Sequence, residues 1–223
     1  MNEIFLDTET TGLSFLENHK IVEIACIETK DLIPTKNYFH QLINPQRNVP
    51  PEAYKIHGYS TEFLKDKKVF KEIAEQFQNF IKDKKIIIHN ASFDLGFLNH
   101  ELRLIKKNEI KKENIIDSLE IARGKFPGSP NSLDALCKRF NIDLSRRTKH
   151  NALLDCELLR EVYINLLDAK EPRLALSSDT IIKNKLSSDK KNVNYSKKII
   201  QVSENEKNMH KDFLKKEMNK NFY

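Results

Sequence analysis

Asp7 and Glu9 sit within an apolar run, Ile4-Phe5-Leu6-Asp7-Thr8-Glu9-Thr10-Thr11-Gly12-Leu13. Residues two apart on a strand project to the same side, so the run predicts two carboxylates on one face. Neighbouring carboxylates repel each other and lose hydration, so either one binds a proton or a cation sits between them. The Thr10-Thr11-Gly12 that follows is small and turn-forming, which lets backbone or ligand approach closely. The pair reads as half of a metal site.

Two further segments carry matching groups. Asp94 follows the strand-like Ile86-Ile87-Ile88 in the stretch His89-Asn90-Ala91-Ser92-Phe93-Asp94. Strand ends and helix starts are where sites gather in open α/β sheets. Asp94 also reads as an ordinary first-turn acid favoured by the helix dipole. The last segment is Lys149-His150-Asn151-Ala152-Leu153-Leu154-Asp155. Residues five apart on a helix point about 140° away from each other. His150 and Asp155 therefore serve one site only if His150 lies in the loop or frayed first turn. Otherwise they are an exposed loop histidine and a solvated helix acid, although Asp155 borders the apolar Leu153, Leu154, Leu158 and Leu159.

Asp7, Glu9, Asp94, Asp155 and His150 make a hard donor set without cysteine, suited to two divalent cations, Mg²⁺ or Mn²⁺. Two such ions about 3.5–4 Å apart clamp a phosphodiester for in-line attack. One acidifies the attacking water and the other stabilises the leaving 3′ oxygen. A neutral imidazole alongside can take the proton from that water.

Positioning these groups requires strands and helices in alternation. Residues 20–28 and 38–43 read as strands, and residues 51–59 as a short irregular or helical piece. Helical spacing runs through residues 69–82, 93–106, 119–125, 133–140 and 151–169, with a cap at Asn131 or Ser132 for the fourth. Residues 86–88 and 115–116 read as short strands. Three strands come first, then strands and helices alternate, which predicts an α/β fold with a mixed sheet covered by helices.

The chain has 223 residues and a formal net charge of +6. Residues 170–223 hold 13 Lys/Arg and 7 Asp/Glu of the totals of 38 and 32, which leaves 25 of each in residues 1–169. The basic excess thus belongs to the tail, and overall charge is no argument that the front part binds nucleic acid. No apolar run approaches the roughly 20 residues of a membrane span, and no signal-peptide pattern opens the chain. Cys26, Cys137 and Cys156 are odd in number and far apart, which reads as reduced thiols in a cytoplasmic protein. Residues 170–197 read as a flexible linker. Within the tail, residues 198–202 read as a strand. Residues 204–219 read as a helix with a Ser203/Glu206 capping box and a thin stripe of Met209, Phe213, Leu214 and Met218.

Asp7-x-Glu9, Asn90-x-x-x-Asp94 and His150-x-Ala152-x-x-Asp155 resemble, in order and spacing, the three motifs of the DnaQ-like, DEDDh-type 3′–5′ exonucleases. The likeness runs through residues 1–169. It takes in Phe39-x-x-x-Ile43-Asn44-Pro45, Pro51-Glu52-Ala53, Ile56-His57-Gly58, Ile116-Asp117-Ser118-Leu119 and Asn131-Ser132-Leu133-Asp134-Ala135-Leu136-Cys137. No tyrosine stands four residues before Asp155, as the tyrosine-type branch would have. The resemblance implies a ribonuclease H-like mixed five-stranded sheet and proofreading hydrolysis at single-stranded 3′ ends of DNA. Asp7, Glu9 and Asp155 would hold the metals, with Asp7 bridging, and Asp94 would complete the set. His150 would be the general base. Glu52 and His57 would contact the terminal nucleotide, in a pocket shaped by Thr10, Thr11, Asn90 and Phe93. A relative acting on RNA ends and a non-catalytic scaffold are the competing readings.

The resemblance extends to the tail. Residues 198–223 look like the family's segment that binds the polymerase (alpha) subunit. Glu171-Pro172-Arg173-Leu174-Ala175-Leu176 stands where the family docks on the sliding clamp, with Glu171 in place of glutamine and Leu176 in place of an aromatic residue. The same residues read equally as a post-helix linker. The sequence does not decide whether a small theta-like subunit binds. A cytoplasmic bacterial protein at the replisome, on the nucleoid, is the implied setting.

Overall fold

The computed structural model describes residues 2–147, 149–168 and 202–217. The chain divides into two units, Met1–Arg173 and Leu174–Tyr223. The first contains a five-stranded sheet of β1 (Asn2–Thr10), β2 (Ile21–Lys30), β3 (Ile33–Leu42), β4 (Lys85–Ile88) and β5 (Ile115–Asp117), in the order β3-β2-β1-β4-β5. β1 pairs antiparallel with β2, and β2 with β3. β1–β4 and β4–β5 are parallel, so the sheet is mixed as the element order predicts.

Around it run α1 (Pro51–His57), α2 (Thr61–Leu64), α3 (Phe70–Ile81), α4 (Ala91–Leu104), α5 (Ser118–Lys125), α6 (Leu133–Arg139) and α7 (Ala152–Leu166). Side-chain alternation sorts β1 between two layers. Ile4 and Leu6 join Ile24, Cys26, Ile86 and Ile88 in a cluster with Phe77, Leu98 and Leu102 of α3 and α4. Phe5 faces the other way, into a cluster with Ala25, Ile87 and the α7 residues Ala152, Cys156, Leu159 and Tyr163. Phe5 and Tyr163 meet edge to face at 5.7 Å. Asp7 and Glu9 continue the Phe5 face toward the end of β1, so the strand that anchors α7 also carries the two acids.

β3 begins at Ile33, five residues before the predicted start. It is an edge strand on which only Phe39 is buried, so its first half lacks the apolar signal of a strand and rests on ladder bonds to β2. Asp31 and Leu32 turn the chain with φ of 53° and 66°, the left-handed pair of a two-residue hairpin. The three cysteines are free and buried, as expected of structural thiols.

In the second unit, α8 (Glu204–Glu217) has the predicted capping box. Ser203 Oγ accepts from the Glu206 N–H at 3.3 Å, and Glu206 accepts from the Ser203 N–H at 2.9 Å. Of the predicted strand, only Val202 is described, and it belongs to no regular element. The predicted linker at 170–197, with its Glu171–Leu176 stretch, lies outside the described residues, as does Met218. No helix among the described residues is long and apolar enough to cross a membrane.

Candidate active site

A cleft of about 620 Å³ opens where β1 ends and α4 and α7 begin. Asp7, Glu9, Asp94, His150 and Asp155 all line it. Three segments more than fifty residues apart thus meet, as the motif reading required.

Each acid is placed by its element. A register irregularity directly after Glu9 ends the regular ladder, and Glu9 lies opposite Glu23 of β2. Thr8, between the two acids, faces the other layer and holds α4. Its N–H and hydroxyl donate to Asp94 Oδ1 at 3.1 and 2.7 Å. Asp94 is therefore more than a first-turn acid: it is 3% exposed and tied to the strand that bears Asp7 and Glu9.

Asp155 is equally buried, in the first turn of α7. Asn151 caps that helix, its side chain accepting from the Leu154 N–H. His150 precedes the cap, outside the helix, its N–H bonded to the Ile56 carbonyl at 3.1 Å. This is the arrangement that lets two residues five apart share a site. His150 Nδ1 lies 3.5 Å from Asp155 Oδ2. One ligand atom each from Glu9, His150 and Asp155 fall within 4.8 Å of one another.

The electrostatics are those of acids crowded away from water. Burial, with Asp94, Glu9 and Asp155 nearby, holds the Asp7 carboxyl well above its usual range. Burial and the charges of Asp155 and Glu23 push Glu9 up to about 8. Burial also lifts Asp94 to about 7, against the bonds from Thr8. Asp155 goes the other way. Burial would raise it, but the Arg147 guanidinium outweighs that and holds its carboxyl below the usual range. Carboxyl groups forced to keep protons at neutral pH, with an imidazole beside them and no cysteine among the described residues of the cleft, fit divalent cations that take oxygen and nitrogen donors.

The expected nucleotide-contact residues divide. Glu52, His57, Thr10, Thr11 and Phe93 line the cleft, whereas Asn90 lines a neighbouring cavity. Asn90 has φ of 68° and leads into α4, which turns it out of the cleft. Phe93 lines the cleft and packs on Phe97 of the core. Thr10 and Thr11 brace the turn. The Thr10 hydroxyl donates to the Gly12 carbonyl at 2.7 Å, and that of Thr11 accepts from the Lys20 N–H at 2.9 Å. His57 is 4% exposed, and its Nδ1 accepts from the Tyr59 N–H at 3.0 Å. A neutral ring then carries its proton on Nε2, which has no partner among the described residues.

Arg147 and Glu23 are the groups that sequence reasoning missed. Arg147 Nε and Nη2 donate to the two oxygens of Asp155 at 2.6 and 2.7 Å, Nη1 to Asp134 at 2.5 Å, and Nη2 to His150 Nδ1 at 2.9 Å. Glu23 is fully buried in β2, between the buried Val22 and Ile24.

The family described as Exonuclease (RNase_T) matches residues 4–163. The DNA polymerase III subunit epsilon of Rickettsia conorii is 47% identical over 219 residues, covering 96% of this chain and 95% of its own. The chain belongs to the epsilon-subunit family of exonucleases. The Escherichia coli epsilon subunit is 48% identical over 170 residues, 73% of this chain and 70% of its own length. Among solved structures, exonuclease X in complex with 5′ overhanging duplex DNA aligns with a TM-score of 0.60 at 26% identity, over 75% of this chain and 92% of that one. The mixed sheet is thus the ribonuclease H-like sheet of DEDDh exonucleases, a fold that uses divalent metal ions.

Proposed function

We propose that this epsilon-family chain is the proofreading 3′–5′ exonuclease of a replicative DNA polymerase, removing mismatched 3′-terminal nucleotides as 5′-monophosphates by two-metal-ion hydrolysis. The observation that carries the reading is the convergence of Glu9, His150 and Asp155 within 4.8 Å from segments at opposite ends of the exonuclease unit. Asp7, Glu9 and Asp155 would hold two divalent cations, Mg²⁺ or Mn²⁺, with Asp94 completing the acidic set. Bound there, the ions supply Lewis acidity toward water and the phosphodiester.

The chain's own groups do the rest. His150, held outside the helix by its bond to Ile56, takes the proton of the attacking water. The unpartnered Nε2 of His57 and the carboxylate of Glu52 receive the terminal nucleotide, against Phe93. Selection of mismatches follows from fraying, because an unpaired terminus costs less to unstack and thread into a single-strand cleft. Cations that displace the cleft's protons bring positive charge to where a phosphate must lie, so DNA affinity depends on metal.

The tail supplies the polymerase contact. Met209 and Phe213 of α8 are 62% and 57% exposed, an apolar stripe suited to docking on the polymerase (alpha) subunit. Residues 171–176 would meet the sliding clamp. The test is Mn²⁺-dependent release of nucleotide from paired and mismatched DNA primers and from RNA, by wild type and Asp7→Ala. Faster cleavage of the mismatched DNA end, lost in Asp7→Ala, is the expected result. Binding of uncleavable single-stranded DNA that EDTA leaves unchanged would contradict the reading.

A further inference from the structure

Among the described residues, Arg147 is the only arginine lining the cleft, and its side chain is 8% exposed. It grips Asp155 through two donors, one to each oxygen. Such a fork is the strongest pairing a guanidinium makes, and it occupies a lone pair on both oxygens. The same Nη2 lies 2.9 Å from His150 Nδ1. A guanidinium has donors and no acceptor. Nδ1 must therefore accept, and a neutral His150 ring carries its proton on Nε2. One side chain thus holds both the acid and the imidazole lone pair that the site presents to a cation. A cation arriving between Glu9 and Asp155 meets a fixed positive charge and lone pairs already in use.

We propose that Arg147 is an exchangeable counter-cation of this site. It keeps Asp155 and His150 assembled while divalent ions are away, and releases them when the ions bind. Asp134 makes the exchange mechanically simple. It accepts from Nη1, is 48% exposed, and does not line the cleft. The guanidinium can stay anchored there as it leaves Asp155. Arg147 is thus a positioning residue that opposes metal uptake, and the inference rests on the reading that these acids bind divalent cations.

The test is calorimetric titration of Mn²⁺ alone into the metal-free full-length chain, for wild type, Arg147→Gln and Arg147→Lys. Thermal melts in EDTA and in saturating Mn²⁺ accompany it. Removing a competing cation should tighten Mn²⁺ binding by roughly ten-fold in Arg147→Gln, within the usual range of site–site coupling. The same variant should melt lower in EDTA and gain more from Mn²⁺ than wild type does. Arg147→Lys, which keeps the charge and loses the fork, should fall between the two, and it carries the comparison if the glutamine variant does not fold. Mn²⁺ binding that is unchanged or weaker in the variants would overturn the exchange and leave the metal site standing. Absence of Mn²⁺ uptake by wild type and variants alike would remove both.

Discussion

Glu23 on β2 accepts a hydrogen bond from the backbone N–H of Ala152, the first residue of α7, at 3.1 Å. The same oxygen accepts from the Tyr59 hydroxyl at 3.0 Å, and the other from Asn151 Nδ2 at 3.1 Å and His40 Nε2 at 2.7 Å. Four donors fill the four lone-pair positions of a carboxylate. This buried acid therefore ties the sheet to the helix start that carries Asp155 and to the loop that carries His150. Glu23→Ala should cost about 2–4 kcal/mol in denaturant unfolding, because it leaves buried donors without an acceptor. Unfolding like that of wild type would show that water replaces the carboxylate.

His150 stands off the helix, where its ring reaches Asp155. His150→Ala should lower turnover on single-stranded DNA by roughly 10²–10⁴-fold, the usual cost of losing a general base. Mn²⁺ binding, followed by titration, should persist. Near-normal turnover would assign the proton transfer to another group.

The raised acids make the metal-free protein sensitive to alkali. Glu9 has a folded value of about 8 against an ordinary 4.5, and Asp94 about 7 against 3.8. The folded state thus binds more protons than the unfolded one, so their contribution is complete below the ordinary values and lost as pH rises through the folded ones. Asp155, whose carboxyl is held low, has the opposite sign, and its contribution is lost only in acid. In EDTA the melting temperature should fall between about pH 5 and pH 8.5 by at least the roughly 2–4 °C that one kcal/mol makes in a chain of this size. Mn²⁺ should flatten that slope by replacing the protons. A melting temperature that rises with pH in EDTA would show the acids to be stabilised as anions.

Among the described residues, the sheet and every cleft residue lie before residue 169. A chain ending at Ala169 should keep its full turnover on single-stranded DNA and lose co-purification with the polymerase (alpha) subunit. A stable complex formed by the truncated chain would move that contact onto the exonuclease unit.

What the sequence by itself determined was what local geometry controls. The period of two put Asp7 and Glu9 on one face, and the 100° step of a helix forced His150 off α7 if it was to join Asp155. Runs of apolar residues located β2 and β4 and the helices α3, α4 and α7 to within a few residues. β3 escaped in part because an edge strand needs ladder bonds more than buried side chains. The tertiary structure alone decided the rest. Asp94 reads as a first-turn acid until Thr8, 86 residues away, donates to it twice. Glu23 is a polar letter between Val22 and Ile24 until His40, Tyr59, Asn151 and Ala152 surround it. Arg147 is one basic residue in a row of them until Asp134, His150 and Asp155 take four of its five donors. A charge acquires its role from the groups that neutralise it, and those come from distant segments that only folding brings within hydrogen-bond reach.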